Sequence, residues 1–457
     1  MKIKELLNKL NIEISDNVNI DIHAITNDSR KCDEHTLYIN TNKNINYLDH
    51  AVKSGVRIIV SEDYIKDKNI IAIYVKDVNS FYYQALKIFY PFHNAYMIGV
   101  TGTCGKTTTV SLLYESLKYS NNNVLLLCSN GNFSYYNNKE VYYETFNTTP
   151  NIETVYKLIN EKEYDFVIIE CSSQGIMNNR LEGIVFDLCA FLNLSNEHLD
   201  YHKNINSYLN AKLLLFKKLK ANGITLVNFH SEYKSAFLSE GNNYYTFGIN
   251  EGNYCIEFKE VELEKMKIKI KDKWVSTSLT GAFNAENISC VNAILNLINV
   301  SSDNLIKCLE NNFIVPGRLN VINYKNSKII IDFAHTEKEV EVLLKHLKNN
   351  TRGKLYLVIG CGGNRDKSKR SIIGKLCELY GDYNIFTEDN SRDELTIDII
   401  GEMLSNYKKD NYIIIINRKD AIKFGISLLD DNDILATIGM GVDDLKLIDE
   451  VINNETK

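Results

Sequence analysis

At 457 residues, 44% of them hydrophobic and 24% charged, the chain has the composition of an ordinary globular protein with material for large cores. It exceeds the roughly 250 to 300 residues at which one hydrophobic core stops growing, so three domains are expected rather than one. A net charge of −6, with acids and bases interspersed, lacks the basic footprint of a nucleic-acid binder and leaves any anionic substrate to local Lys and Arg.

The first block offers short β-type runs at Leu37 to Asn40, Val56 to Val60 and Ile71 to Val75 between polar turns and helical stretches, which reads as a small N-terminal α/β domain. Pro91 precedes the next apolar run, and Pro316 with Gly317 and Arg318 separates two long stretches of alternating strand and helix pattern, so the expected domains are 1–93, 94–315 and 316–457. In the middle block Tyr96 to Val100, Val124 to Cys128, Phe166 to Glu170 and Leu188 to Leu194 read as buried strands of a mainly parallel sheet. The third block repeats the pattern with Lys328 to Ile331, Leu355 to Ile359, Tyr383 to Phe386, Tyr412 to Ile416 and Ile434 to Thr437, a Rossmann-like open sheet. No run approaches the ~20 apolar residues of a membrane span. Met1 to Leu10 lacks the apolar core of a signal peptide, and ten cysteines without CxxC pairing suit reduced thiols, so a cytoplasmic protein is expected.

The segment Gly99 Val100 Thr101 Gly102 Thr103 Cys104 Gly105 Lys106 Thr107 Thr108 Thr109 follows a strand and opens a helical pattern. Small residues there let backbone N–H groups face anionic oxygens, Lys106 adds a point charge, and the Thr107 hydroxyl is placed to ligate Mg²⁺, so the segment reads as a nucleotide phosphate cradle. Val100 stands where the strict Walker pattern has its first glycine. In open parallel sheets ligands sit at the carboxyl ends of strands. Two further strand ends carry Glu170, followed by Cys171, Ser172 and Ser173, and the pair Glu197 and His198, which makes Glu170 and His198 candidates for holding the Mg²⁺ of Mg·ATP.

These residues resemble the central domain of the Mur ligases: the Thr Gly Thr loop, Glu170 to Ser173 with Arg180, Asn193 to His202, and Tyr208 to Phe216. Asp28 Ser29 Arg30, Asn147 to Pro150, Gly281 to Asn287, Pro316 to Arg318, Asp332 to Thr336, Gly360 to Arg370 and Asp389 to Glu394 resemble the MurE type within that family, so the likeness runs from about residue 24 to about 443. The resemblance implies an ATP-dependent amide ligase of peptidoglycan synthesis that adds the third amino acid to UDP-N-acetylmuramoyl-L-Ala-D-Glu through an acyl phosphate. It implies ATP and two Mg²⁺ ions as cofactors, a UDP-linked muropeptide and a free amino acid as partners, and a monomer without nucleic-acid or membrane partners. Lys106, Glu170, His198 and Lys212 would be catalytic, and Thr107, Glu170, His198 and a carbamylated Lys212 would hold metal. Gly102, Thr103, Gly105, Lys106, Thr107, Thr108, Asn284, Asn287, Arg318 and Asp332 would bind ATP. Ser29, Thr148, Thr149, Ser172 and Arg180 would hold the muropeptide, while Arg365, Asp389, Asn390, Arg392 and Asp443 would meet the amino acid. Read without the resemblance, Lys212 is a lysine snorkelling off an apolar helix.

Family members selecting meso-diaminopimelate carry Asp Asn Pro Arg, and here the segment is Asp389 Asn390 Ser391 Arg392. A guanidinium pairs bidentately with a carboxylate, so Arg392 argues for an acid-bearing side chain, diaminopimelate rather than lysine. Gln174, Cys104, Glu197 and Glu337 stand where the family has His, Asn, Asp and Pro, and Gly439 Met440 Gly441 Val442 Asp443 replaces Gly Lys Gly His Glu. These departures keep two alternatives open: a paralogue forming another ATP-dependent amide bond, and a catalytically idle muropeptide-binding protein. A dinucleotide oxidoreductase is the weakest reading, because Arg365 occupies the third glycine position of that fingerprint after Gly360 and Gly362.

Overall fold

The computed structural model describes residues 1–457 except 16, 17, 19, 43, 44, 66–68, 196, 198, 241, 242, 456 and 457, and of 199, 200, 454 and 455 only the backbone. Its strands form three sheets. The first is a four-stranded parallel sheet of Ala24–Thr26, Thr36–Ile39, Ile58–Ser61 and Ile71–Tyr74, in that spatial order. The third runs Asn320–Tyr324, Ser327–Asp332, Ile434–Ile438, Leu355–Ile359, Tyr383–Phe386 and Tyr412–Ile414, parallel except for its first pair.

The middle sheet has eleven strands. Its centre is parallel: Leu219–Asn228, Phe186–Phe191, Tyr96–Thr101, Phe166–Glu170 and Val124–Cys128 lie side by side. Val, Ile and Leu fill these strands because both faces are covered, chiefly by the helices Lys106–Lys118 and Ala282–Leu297 on one side. Antiparallel hairpins extend the sheet at both ends, Gly131–Tyr136 with Lys139–Tyr143 and Tyr254–Glu262 with Lys265–Ile270 and Lys273–Thr277. The expected parallel sheet is thus the core of a larger mixed one. The expected strand Leu188 to Leu194 is shifted, running Phe186–Phe191, so Leu192, Asn193 and Leu194 belong to the loop at its end.

Side chains join the three bodies. Thr26, Lys31 and Tyr82 of the first converge on the buried carboxylate of Glu153 in the middle one, with Tyr82 donating at 3.2 Å. The turn of the hairpin Tyr254–Glu262/Lys265–Ile270 reaches the third body, where Leu263 enters the core with Leu343, Leu344 and Leu347 and Glu264 pairs with Lys328.

Inside the third body two buried arginines bind adjacent strand ends. The guanidinium of Arg418 donates to Asp444 at 2.6 Å through both Nε and Nη2, to the Ile438 carbonyl at 2.8 Å and to the Glu388 carbonyl at 3.0 Å. Removing one partner of such a pair strands the other charge. Arg418→Met should therefore lower unfolding free energy by about 3–5 kcal/mol in denaturant titrations. A cost below about 1 kcal/mol would show that the pair contributes little.

Candidate functional site

The strand Tyr96–Thr101 lies between Phe186–Phe191 and Phe166–Glu170, with Thr101 opposite Phe191 and Val100 opposite Glu170. Parallel pairing therefore brings three carboxyl ends to one edge, as the strand pattern had suggested. The loop that follows Thr101 turns through Gly105, whose φ is 80°, into the helix Lys106–Lys118. A side chain at Gly105 would meet Asn287 Oδ1 at 2.2 Å, so the left-handed turn and the neighbouring helix both demand glycine.

Second-layer bonds hold the loop in shape. Asn193 accepts from the Cys104 N–H at 2.9 Å through its side chain and from the Thr103 N–H at 2.9 Å through its carbonyl. Thr109 donates to Asn287, which donates in turn to Asn284 at 3.2 Å, so Asn284 and Asn287 brace the loop from the side. Lys106 Nζ donates to the carbonyls of Gly102 and Thr103 at 2.9 and 2.6 Å.

Glu170 is buried, accepting from the Thr107 hydroxyl at 3.1 and 3.2 Å and from the Ser129 N–H at 2.9 Å. Arg318, from the segment entering the third body, reaches Thr107 Oγ1 at 3.4 Å and stacks over Phe333. Lys212 is 1% exposed, donates to the Gly102 carbonyl at 2.7 Å and lies 4.2 Å from the centroid of the Tyr208 ring. Burial first, and then the charge of Lys106, push its ammonium well below the usual lysine range, with Glu197 acting in opposition. It does not snorkel. His198 lies outside the described residues.

Beside Glu170 the structure gathers Thr148, Thr149, Ser172 and Arg180. Thr149 donates to the Glu170 carbonyl at 2.8 Å, Ser172 N–H donates to Thr149 Oγ1 at 2.9 Å, Arg180 donates to the Thr149 carbonyl at 2.8 Å, and Ser129 bonds Thr148 at 3.0 Å. Ser29 sits in the first body, in the short 3-10 turn Ser29–Lys31, its carbonyl bonded to His50 Nδ1 at 3.1 Å.

Two cavities open between the middle and third bodies. One, of about 340 Å³, runs from Gly105 and Thr108 past Asn284, Asn287, Arg318 and Asp332 to an apolar end of Leu279, Phe283, Leu319, Val342 and Leu343. The other, of about 310 Å³, is lined by Arg365, Asp389, Asn390 and Arg392, with Glu197, His335, Glu337, Lys369 and Gly439. Between them His335 bonds Glu197 at 2.9 Å and lies 3.5 Å from Glu339; burial opposes its charge, but Glu339 and Glu197 outweigh this and raise its pKa. The apolar end of the first cavity was not legible in sequence, since Leu319 and Leu343 look like ordinary core residues. Phe283 at least lies within the segment Gly281 to Asn287 that the resemblance singled out. Asp443 does not line the second cavity: its side chain is exposed and lies 3.9 Å from Lys446, where the resemblance had put a contact with the amino acid.

A phosphate loop facing an arginine-rimmed cleft on a second sheet is the plan of a nucleotide-dependent ligase. Residues 100–295 match the Mur ligase middle domain and residues 317–441 the Mur ligase, glutamate ligase domain. The UDP-N-acetylmuramoyl-L-alanyl-D-glutamate--2,6-diaminopimelate ligase 1 of Clostridium acetobutylicum is 30% identical, covering 100% of this chain and 98% of its own length. The corresponding ligase of Rickettsia rickettsii is 32% identical, covering 90% and 88%. This chain belongs to the Mur ligase family. Its fold is shared by a solved diaminopimelate ligase structure, with a TM-score of 0.63 at 23% identity covering 100% and 99%. MurF of Thermotoga maritima in complex with ADP gives 0.70 at 17% identity, covering 95% and 97%.

Asp332 accepts from the Leu319 and Ala334 N–H groups, both at 2.7 Å, yet burial pushes its carboxyl up to about 6, against the pull of Arg318. A carboxyl raised in the folded state contributes stability below its unfolded pKa of 3.8 and loses it as pH rises through about 6. The melting temperature of Asp332→Asn, relative to wild type without nucleotide, should therefore shift in favour of the variant across that window. A difference independent of pH would show that burial does not raise this group.

Proposed function

We propose that this ligase joins an amino acid bearing a second carboxylate, meso-diaminopimelate in preference, to UDP-N-acetylmuramoyl-L-alanyl-D-glutamate at the expense of ATP, in a chain of three domains spanning 1–93, 94–315 and 316–457. The observation that carries the reading is the pairing of the two cavities: an apolar slot ending on a phosphate loop, and beside it a cleft with two guanidinium groups.

The adenine fits the slot of Leu279, Phe283, Leu319, Val342 and Leu343, leaving the triphosphate along Gly105 and Thr108 in the cavity and along Gly102 and Thr103 of the same loop. Lys106 turns its charge to the β- and γ-phosphates, and Arg318 and Asp332 approach the nucleotide from the third domain. The Thr107 hydroxyl and Glu170 carboxylate are hard oxygen donors in mutual contact and suit Mg²⁺, with His198 and a modified Lys212 serving a second ion. Mg²⁺ when bound neutralises phosphate charge. Burial and the charge of Lys106 lower the pKa of Lys212 and so favour its free amine, which adds carbon dioxide and releases a proton to become a carbamate that offers oxygen where ammonium offered none.

Ser29, Thr148, Thr149, Ser172 and Arg180 hold the muropeptide so that its terminal carboxylate attacks the γ-phosphorus and ADP leaves. Arg365, Asp389, Asn390 and Arg392 present the amino acid, whose neutral amine attacks the acyl carbon while phosphate departs with the electrons of the C–O bond and the nitrogen gives up a proton. Because both cavities lie between domains, their closure excludes water from the acyl phosphate.

A phosphate-release assay with ATP, the UDP-muramoyl dipeptide and a panel of amino acids tests the whole reading, and release that no amino acid stimulates would sink it. In that assay Lys106→Ala and Glu170→Ala should each lower kcat by at least about 10²-fold. Lys212→Ala should fall similarly and recover in part with added acetate or formate, whereas recovery in neither would remove the carbamate. Arg392→Ala should cut kcat/KM for diaminopimelate by about 10–100-fold and leave the KM for ATP within about twofold, as expected from the loss of one charged hydrogen-bonded pair. Equal use of lysine by the unmodified enzyme would contradict the role of Arg392.

A further inference from the structure

The two guanidinium groups of the second cavity stand on separate loops. Arg365 follows the strand Leu355–Ile359 and Arg392 follows its neighbour Tyr383–Phe386. Both loops carry left-handed backbone at residues other than glycine: Asn364 at φ 51°, Asn390 at 44° and Arg392 at 51°. Conformations of that kind persist only where the surroundings hold them.

A buried arginine that does not line the cavity ties the two loops together. Arg370 is 0% exposed and forks onto Glu394, Nη1 to Oε2 and Nη2 to Oε1, both at 2.9 Å. The same guanidinium donates to the Gly362 carbonyl at 3.1 Å and to Glu402 at 2.7 Å. Glu394 in turn accepts from the Asn364 N–H at 2.6 Å, and the Asn364 side chain donates to Asp393 at 2.7 Å. The Arg370 fork first, then Lys367 and the Asn364 N–H, hold the Glu394 carboxyl far below its usual range, so it stays ionised in this role.

These bonds join residues 362–364 of one loop to residues 390–394 of the other. Gly363 N–H donates to the Asn390 carbonyl at 3.1 Å, Arg392 donates to the Gly363 carbonyl, and a side chain on Gly363 would meet the Ser391 carbonyl oxygen at 1.8 Å. A Cβ placed on Gly362 would lie 3.7 Å from both Arg365 Cγ and Arg392 Nη1, so the two cavity arginines flank one point of the seam.

We infer that the Arg370–Glu394 pair is a positioning lock that fixes the separation of Arg365 and Arg392, so that the enzyme selects amino acids by the length of the chain carrying the second carboxylate. The inference rests on the amino-acid role proposed above for the second cavity. Neither locking residue touches that cavity; each acts through the loop it anchors. The pair is suited to the task because a bidentate fork fixes angle as well as distance, which an ammonium does not.

The test compares wild type, Glu394→Gln and Arg370→Lys in the ligation assay with glutamate, 2-aminoadipate and diaminopimelate, whose second carboxylates stand on successively longer chains, and with lysine, which has none. Wild type should show one sharp length optimum. In both variants the ratio of kcat/KM between the best and next-best members should fall at least about tenfold, with a raised amino-acid KM and an ATP KM within about twofold of wild type. An unchanged length profile in a Glu394→Gln enzyme that keeps its ATP KM overturns the lock. So does a parallel rise of both KM values, which marks general loss of structure. Wild type that ligates none of the series sinks the function proposed above and the lock with it, whereas turnover with an unaltered profile in the variants sinks the lock alone.

Discussion

The buried Glu170 carboxylate is the point on which the site depends. It ends a central strand, accepts from Thr107 at the mouth of the phosphate loop and from the Ser129 N–H, while its own carbonyl receives the hydroxyl of Thr149. An ionisable group in such a place is tolerated because every bond it makes is donated to it. The consequence is geometric coupling: the loop, the residues gathered around Thr149 and the arginine reaching across from the third body share one anchor. Arg318 completes this by approaching the same Thr107 oxygen.

The second half of the site is organised differently. On the nucleotide side the backbone carries the geometry, through glycines at a strand end and a helix N-terminus. Around the second cavity three adjacent strand ends of the third sheet are tied by buried arginines, Arg370 between the first two loops and Arg418 between Glu388 and Ile438. A buried guanidinium pair is costly to break, because the partner left behind is a stranded charge, and it leaves few alternative arrangements for the loops it binds. That suits the amino-acid role proposed above for this cleft, in which charges are told apart by their placement.

Between these halves lies a seam that no single sheet owns. Glu197 from the middle body meets His335 from the third, and both cavities take lining residues from each side. The hairpin turn at Leu263, packed into the third core, holds the two bodies together away from the site.

Much of this was legible in the chain. Val124–Cys128, Phe166–Glu170, Leu355–Ile359 and Tyr383–Phe386 were found at their observed bounds, because strands buried on both faces leave unbroken apolar runs. The wing from Tyr254–Glu262 to Lys273–Thr277 was not read: Tyr254–Glu262 is exposed over most of its length and filled with Glu and Lys, although Lys265–Ile270 alternates Lys with the buried Met266, Ile268 and Ile270 and offered a period-two signal. The phosphate loop, Glu170 and the arginines of the third body could be picked out, since their chemistry follows from residue type at a strand end. Which of them meet was decided only by the fold. Asp443 is a substitute for a glutamate in sequence but lies outside the cavity in space, and Lys212 is buried where its helix alone would have let it reach water. Local spacing dictates strand, loop and helix, whereas a cavity is made by segments hundreds of residues apart, and its walls are set by how whole sheets pack.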